Sequence, residues 1–161
     1  MLLDAAKRIT PDTTAISGGA AWADHLAVKL FLAGKIKHLE LHLPSTITNG
    51  RFDGDRGTSG GASNYYHDKF STITGENSIN QIIEAINRGA TVTYEPNAMG
   101  YKAMFTRNSK VANSNADTLL AYTFGNTEIP ADGGTLHTWN MVTTGIKHHI
   151  QINKLTLPNS L

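Results

Sequence analysis

The 161 residues include no cysteine. That excludes disulfide scaffolds, thiolate metal centres and cysteine nucleophiles, and it fits a reducing compartment. Charge is scarce as well, with 17% Asp, Glu, Lys and Arg against roughly 25% in typical soluble proteins. Neither sign dominates: 14 Lys and Arg stand against 13 Asp and Glu, for a formal net charge of +1. A field that weak argues against nucleic acid or a membrane surface as partner. The opening MLLDAAKRITPDT has no apolar run long enough for a signal peptide or a membrane span, so the expected localisation is cytoplasmic. Internal repeats and low-complexity tracts are missing too.

What is present is a 40% hydrophobic share, enough for a core in a chain of single-domain size. One domain over 1–161 is expected, with its core at about 13–152. Strand and helix signals alternate along it. TTAIS (Thr13 to Ser17) is β-branched and stops at Gly18–Gly19. Ala21 to Ala33 carries Trp22, Leu26, Leu30 and Ala33 at helical spacing, with Gly34 as a cap. HLELHLP (His38 to Pro44) alternates Leu39, Leu41 and Leu43 with polar residues and ends at proline, a strand with one buried face. Residues 45–63, rich in Gly, Thr, Ser and Asn, show no period and read as a flexible loop.

Helices are expected over Asn64 to Ile73 and over Ser78 to Arg88, the second with an Ile79, Ile82, Ile83, Ile86 stripe. A short strand at Ala90 to Glu95, a helix over Met99 to Ala116 and a strand over Asp117 to Phe124 follow. A helix opens at Gly133, a last strand runs from His148 to Asn153, and 154–161 forms a tail. This alternation predicts an α/β protein: a Rossmann-like three-layer fold with a mostly parallel sheet.

Two junctions share one form, a strand running toward a glycine pair that opens a helix: Gly18–Gly19 before Ala21, and Gly133–Gly134 before Thr135. Such junctions aim unpaired N–H groups and a positive helix end at the carboxyl edge of the sheet, where a phosphate can bind. Ser17, Thr135 and Thr138 add hydroxyls. Neither junction is a Walker A loop, because no Gly-Lys-Ser/Thr follows, and neither spells GxGxxG.

In combination, SGGAAWADHLA (Ser17 to Ala27), TRNSKVANSNADTLLAY (Thr106 to Tyr122) and GGTLHTW (Gly133 to Trp139) resemble the SLOG superfamily. These Rossmann-like proteins include the DNA-processing Smf proteins and the LOG phosphoribohydrolases. The family motifs are SGGAxGADxLA, an RN motif leading into a strand, and GGTxxT; the likeness spans about Thr13 to Ile152. It implies a nucleotide-type ligand over Ser17, Gly18 and Gly19, with phosphate or ribose held by Gly133, Gly134 and Thr135. Asp24 matches the family's acidic residue, and a helix-capping carboxylate is the alternative reading. Arg107 is the phosphate contact the resemblance implies, with an exposed helix arginine as the alternative reading, and Asn108 braces the loop. Family members often dimerise, so a homodimer is one expectation for the oligomeric state, which stays open. In the family a further strand precedes the first helix and fills the middle of the sheet beside Thr13 to Ser17. Met1 falls inside that first helix, so the fold is expected to lack the usual first strand or to fill its place with another segment.

One departure bears on chemistry. LOG hydrolases carry a glutamate in the helix after their glycine loop, whereas here Thr138 stands where an acid is wanted. General acid–base help needs a titratable group in reach, so the resemblance favours binding of a phosphate-bearing small molecule without turnover and assigns no catalytic residue or required cofactor. Cleavage of the N-glycosidic bond of a nucleoside monophosphate is the second reading. The seven histidines form no HExxH arrangement, and no metal site is expected. His67, in ASNYYHDKFS, has two readings: it faces a ligand pocket beside Tyr65, Tyr66 and Lys69, or it lies on the surface while Tyr66 and Phe70 form a core stripe. Trp22 and Trp139 are both expected in the core.

Overall fold

The computed structural model describes residues 1–100, 102–125, 127–130 and 133–155. It is a mixed α/β protein with parallel sheets and, among the described residues, six α-helices. α1 (Leu2–Lys7) leads into β1 (Thr14–Ser17), α2 (His25–Leu32) and β2 (His38–Leu43). A short antiparallel hairpin, β3 (Ile47–Thr48) with β4 (Arg51–Phe52), precedes α3 (Ser59–Thr74), α4 (Ser78–Asn87) and β5 (Thr91–Tyr94). α5 (Lys102–Ala112), β6 (Thr118–Thr123), α6 (Gly133–Met141) and β7 (Ile146–Gln151) complete the order.

β1, β2 and β5 form one parallel sheet in that spatial order, with Ser17 beside Leu41 and Leu41 beside Val92. β6 and β7 form a second parallel pair in which Tyr122 lies beside Ile150. β1 and β6 do not pair, and among the described residues no strand hydrogen-bonds to their open edges. An apolar cluster nevertheless links the two sheets: Ala5 of α1, Leu26 and Leu30 of α2, Tyr122 and Ile150, with Ala15 of β1 packed against it. The Tyr122 hydroxyl donates to Asp4 at 2.8 Å.

The alternation read in β2 places Leu39, Leu41 and Leu43 in the main core with Val28 of α2, Phe52 of β4 and Ile79 and Ile82 of α4. The opposite face is not simply polar. His42 is buried there, its ring nitrogens 2.8 Å from Glu40 Oε1 and 2.6 Å from Thr93 Oγ1.

Several bounds differ from the sequence reading. α5 spans Lys102–Ala112, short of the expected Met99 to Ala116, and Asn115 beyond its end takes a left-handed φ of +57°. α2 begins at His25, four residues after Ala21, because Trp22 takes φ +67°, a left-handed conformation that no α-helix contains. α3 begins at Ser59, inside the stretch expected as a loop. The Thr58 hydroxyl accepts the Gly61 N–H, and the missing side chain of Gly60 lets the helix press on Asp53, whose carbonyl lies 1.9 Å from where a Cβ would stand. Asn64 then ties α3 to the hairpin, bonding the N–H and the carbonyl of Phe52 at 2.9 and 2.8 Å. β7 begins at Ile146, two residues before His148, and ends at Gln151, ahead of a 3-10 turn over Ile152–Lys154. Residues 156–161 of the expected tail lie outside the described residues. Among the described residues no helix is long and apolar enough to cross a membrane.

Candidate functional site

β1 ends at Ser17, and the chain turns through Gly18 and Gly19 above the carboxyl edge of the sheet. Gly19 has φ +68°, and a Cβ there would lie 2.2 Å from Cδ2 of the fully buried Leu43. Only glycine meets both conditions without strain. The Ser17 hydroxyl is spent inside the turn, accepting the Gly19 N–H at 3.1 Å and donating to the Asp24 carbonyl at 2.9 Å. Asp24 takes the N-cap position of α2 without a capping bond from its side chain. Its carboxylate instead faces Gly18, with Oδ2 3.1 Å from where a Cβ would be.

His67 supports the turn from behind. It lies in neither expected place: Phe70 is buried as the stripe requires, but Tyr66 is exposed and His67 is 1% exposed. Its Nε2 donates to the Gly19 carbonyl at 2.9 Å, and because a carbonyl only accepts, Nδ1 must accept from Ser78 Oγ at 2.8 Å. Burial pushes its pKa down to about 4, and the nearby His25 and Arg107 push the same way. His25 is buried too, with Nε2 2.6 Å from Gln81 Oε1 and Nδ1 without a hydrogen-bond partner. Burial is again the main cause of its lowered pKa. Both rings are therefore neutral near pH 7.

Arg107 reaches the same turn from α5. It is 7% exposed, and its Nη1 donates to the Gly18 carbonyl at 3.0 Å. Nε is buried without a partner and would lie 2.9 Å from a Cβ on Gly18. Burial lowers the guanidinium pKa; Asp24 opposes that, yet the two form no ion pair. Among the described residues no carboxylate is in direct contact with this buried cation.

The second glycine pair sits beside it. α5 and α6 pack together, and Gly134 would meet Asn108 Nδ2 at 3.7 Å if it carried a Cβ. Gly134 and Thr135 are exposed on the first turn of α6. The Thr138 hydroxyl folds back on the Gly134 carbonyl at 3.2 Å. Ser17, Gly18, Gly19, Asp24 and Arg107 thus meet at one turn, and Asn108 carries the contact on to the α6 terminus. Asp132 lies outside the described residues.

Two features escaped the sequence reading. Trp139 is buried under Lys147, whose Nζ lies 4.9 Å from the ring centre, but Trp22 is 41% exposed. Glu95, just past β5, is a buried carboxylate paired with Lys110, which sits one helical turn along α5 from Arg107. Neither has a local signal, because each depends on contacts between distant segments. Among the described residues no group of three or more His, Asp or Glu could hold a metal ion.

The fold and site define an α/β protein with parallel sheets whose glycine turn, at a sheet's carboxyl edge, is closed over by a buried arginine. The chain is 41% identical over 140 residues to the uncharacterized protein R261 of Acanthamoeba polyphaga mimivirus, a match covering 86% of this chain and 68% of that protein. It belongs to the family of that viral protein. No family model matches the chain, and no solved structure matches it.

Proposed function

We propose that this protein is a SLOG-type, Rossmann-like three-layer domain that binds a nucleotide or nucleotide-derived small molecule at the Gly18–Gly19 turn, without turning it over. The observation that carries this reading is Arg107. A guanidinium removed from water with Nε unbonded and, among the described residues, no ion pair is costly. A phosphate is the complementary group: it supplies charge and acceptors in a geometry that the guanidinium fork grips. The ligand's phosphate lies against the Arg107 guanidinium beside Gly18, while Gly133, Gly134, Thr135 and Thr138 hold a second phosphate or the ribose at the α6 terminus. Asn108 positions that terminus, and His67 holds the turn in shape rather than touching the ligand.

The absence of turnover rests on Thr138, whose hydroxyl is bonded to its own helix and which cannot serve as a general acid at neutral pH. Thermal melting against a panel of nucleoside mono-, di- and triphosphates and their derivatives at millimolar concentration tests the reading. At least one member should raise the melting temperature by linkage, and no free base should accumulate from the monophosphates. A melting curve unmoved by the whole panel would overturn the binding reading; release of base above background would overturn its non-catalytic part.

A further inference from the structure

We infer that Trp22 is the ring-recognition residue of this site, stacking on a planar aromatic group such as a nucleobase and so favouring aryl- or base-bearing phosphates over bare sugar phosphates; this rests on the phosphate-site reading above. The first observation is backbone strain. Trp22 has φ +67°, a region that bulky residues seldom enter. Glycine is the residue that adopts such a conformation without steric cost. An indole held there against the local backbone preference is more than a turn residue.

The second observation is where the indole lies. It is 41% exposed, so the core does not account for it, in contrast to Trp139 at 8%. It is also braced: the Phe70 ring meets it edge to face, centres 5.0 Å apart at 83°, and Phe70 in turn packs on His25 at 5.4 Å. The Trp22 carbonyl accepts the His25 N–H at 3.1 Å, which fixes the loop at the start of α2. A large ring is thus held in one orientation, open to solvent, three residues from Gly19 and on the loop that Arg107 reaches. Stacking on such a platform requires only a π-face in the ligand. In this division of labour Arg107 reads the phosphate and Trp22 reads the ring.

Calorimetric titration of the full chain with adenosine 5′-monophosphate and with ribose 5-phosphate tests it, comparing wild type with Trp22→Gly. That variant relieves the strained φ, so it should fold with an unchanged or higher melting temperature. Its affinity for adenosine 5′-monophosphate should fall by about tenfold or more while ribose 5-phosphate binding stays unchanged. In a Trp139→Phe background, adenosine 5′-monophosphate should quench the Trp22 emission and ribose 5-phosphate should not. Equal losses for both ligands, or none for either, would overturn the stacking role and leave the phosphate site standing. Wild-type protein that binds ribose 5-phosphate but gains nothing from the base would do the same. Wild-type protein that binds neither would overturn the ring reading, and the phosphate-site reading falls with it only if the whole nucleotide panel also leaves the melting curve unmoved.

Discussion

The two glycine pairs share a sequence form but are built differently. At Gly18–Gly19 almost every polar atom is spoken for: Ser17 bonds Gly19 and Asp24, His67 bonds Gly19, and Arg107 bonds Gly18. The turn stands on Leu43, part of the main core. At Gly133–Gly134 the first turn of α6 is open, with Gly134 and Thr135 exposed and Asn108 the near neighbour. One pair is packed around an unpaired Arg107 Nε, and the other opens a helix at the exposed Gly134 and Thr135. Glycine is thus demanded by packing at one junction and only permitted at the other.

Adding one methyl group to each pair breaks this comparison most sharply. Gly19→Ala puts a Cβ 2.2 Å from Leu43 Cδ2 at φ +68°, and should destabilise the protein by about 2–4 kcal/mol, strain and overpacking together. Gly134→Ala lies in a helix with Asn108 Nδ2 at 3.7 Å, and should be neutral or stabilising by up to about 1 kcal/mol. Denaturant midpoints read both; equal effects would erase the contrast.

Acid attacks the Gly18–Gly19 turn next. His67 titrates at about 4 in the folded protein against 6.5 unfolded, so the unfolded chain takes up its proton first as pH falls. Its stabilising contribution is complete above pH 6.5, is lost as pH falls from 6.5 to about 4, and amounts to about 3 kcal/mol when fully lost. His25 shifts in the same direction and adds to the loss. His67→Gln should lower stability at pH 7 and flatten its fall over that window. Urea unfolding at several pH values checks this, and a wild-type curve flat from pH 7 to 4 would refute the buried, neutral ring.

Arg107→Met should change unliganded stability least, by under about 1 kcal/mol, because relief of guanidinium desolvation offsets the lost bond to the Gly18 carbonyl. Ligand-induced stabilisation should disappear in the same variant. Retained stabilisation would show that Arg107 is only structural.

Elements with a strong local period were legible in the sequence. β2 alternates and buries Leu39, Leu41 and Leu43, and α4 buries Ile79 and Ile82 from its stripe. α3 was legible only from Asn64 onward, since Gly60 and Gly61 oppose helix by propensity while packing on the hairpin requires them there. Ser17, Gly18, Gly19, Asp24 and Arg107 were singled out and do converge, but their bonding was not readable. Arg107 meets Gly18 across 89 positions, and His67 meets Gly19 across 48. Helical spacing predicts a buried Trp22, but its backbone is left-handed and lies ahead of α2, which leaves the indole half exposed. That β1 and β6 lie in separate sheets follows from tertiary packing, which no local pattern reports.

The most direct measurement is the proton–nitrogen-15 correlation of the Arg107 Nε–H, followed as adenosine 5′-monophosphate is titrated into the labelled full chain and assigned by its loss in Arg107→Lys. A buried Nε–H without an acceptor should move markedly downfield in its proton shift as it bonds a phosphate oxygen, saturating with the binding curve, and adenosine should leave it in place. A resonance that stays fixed while the nucleotide saturates the protein would contradict the account.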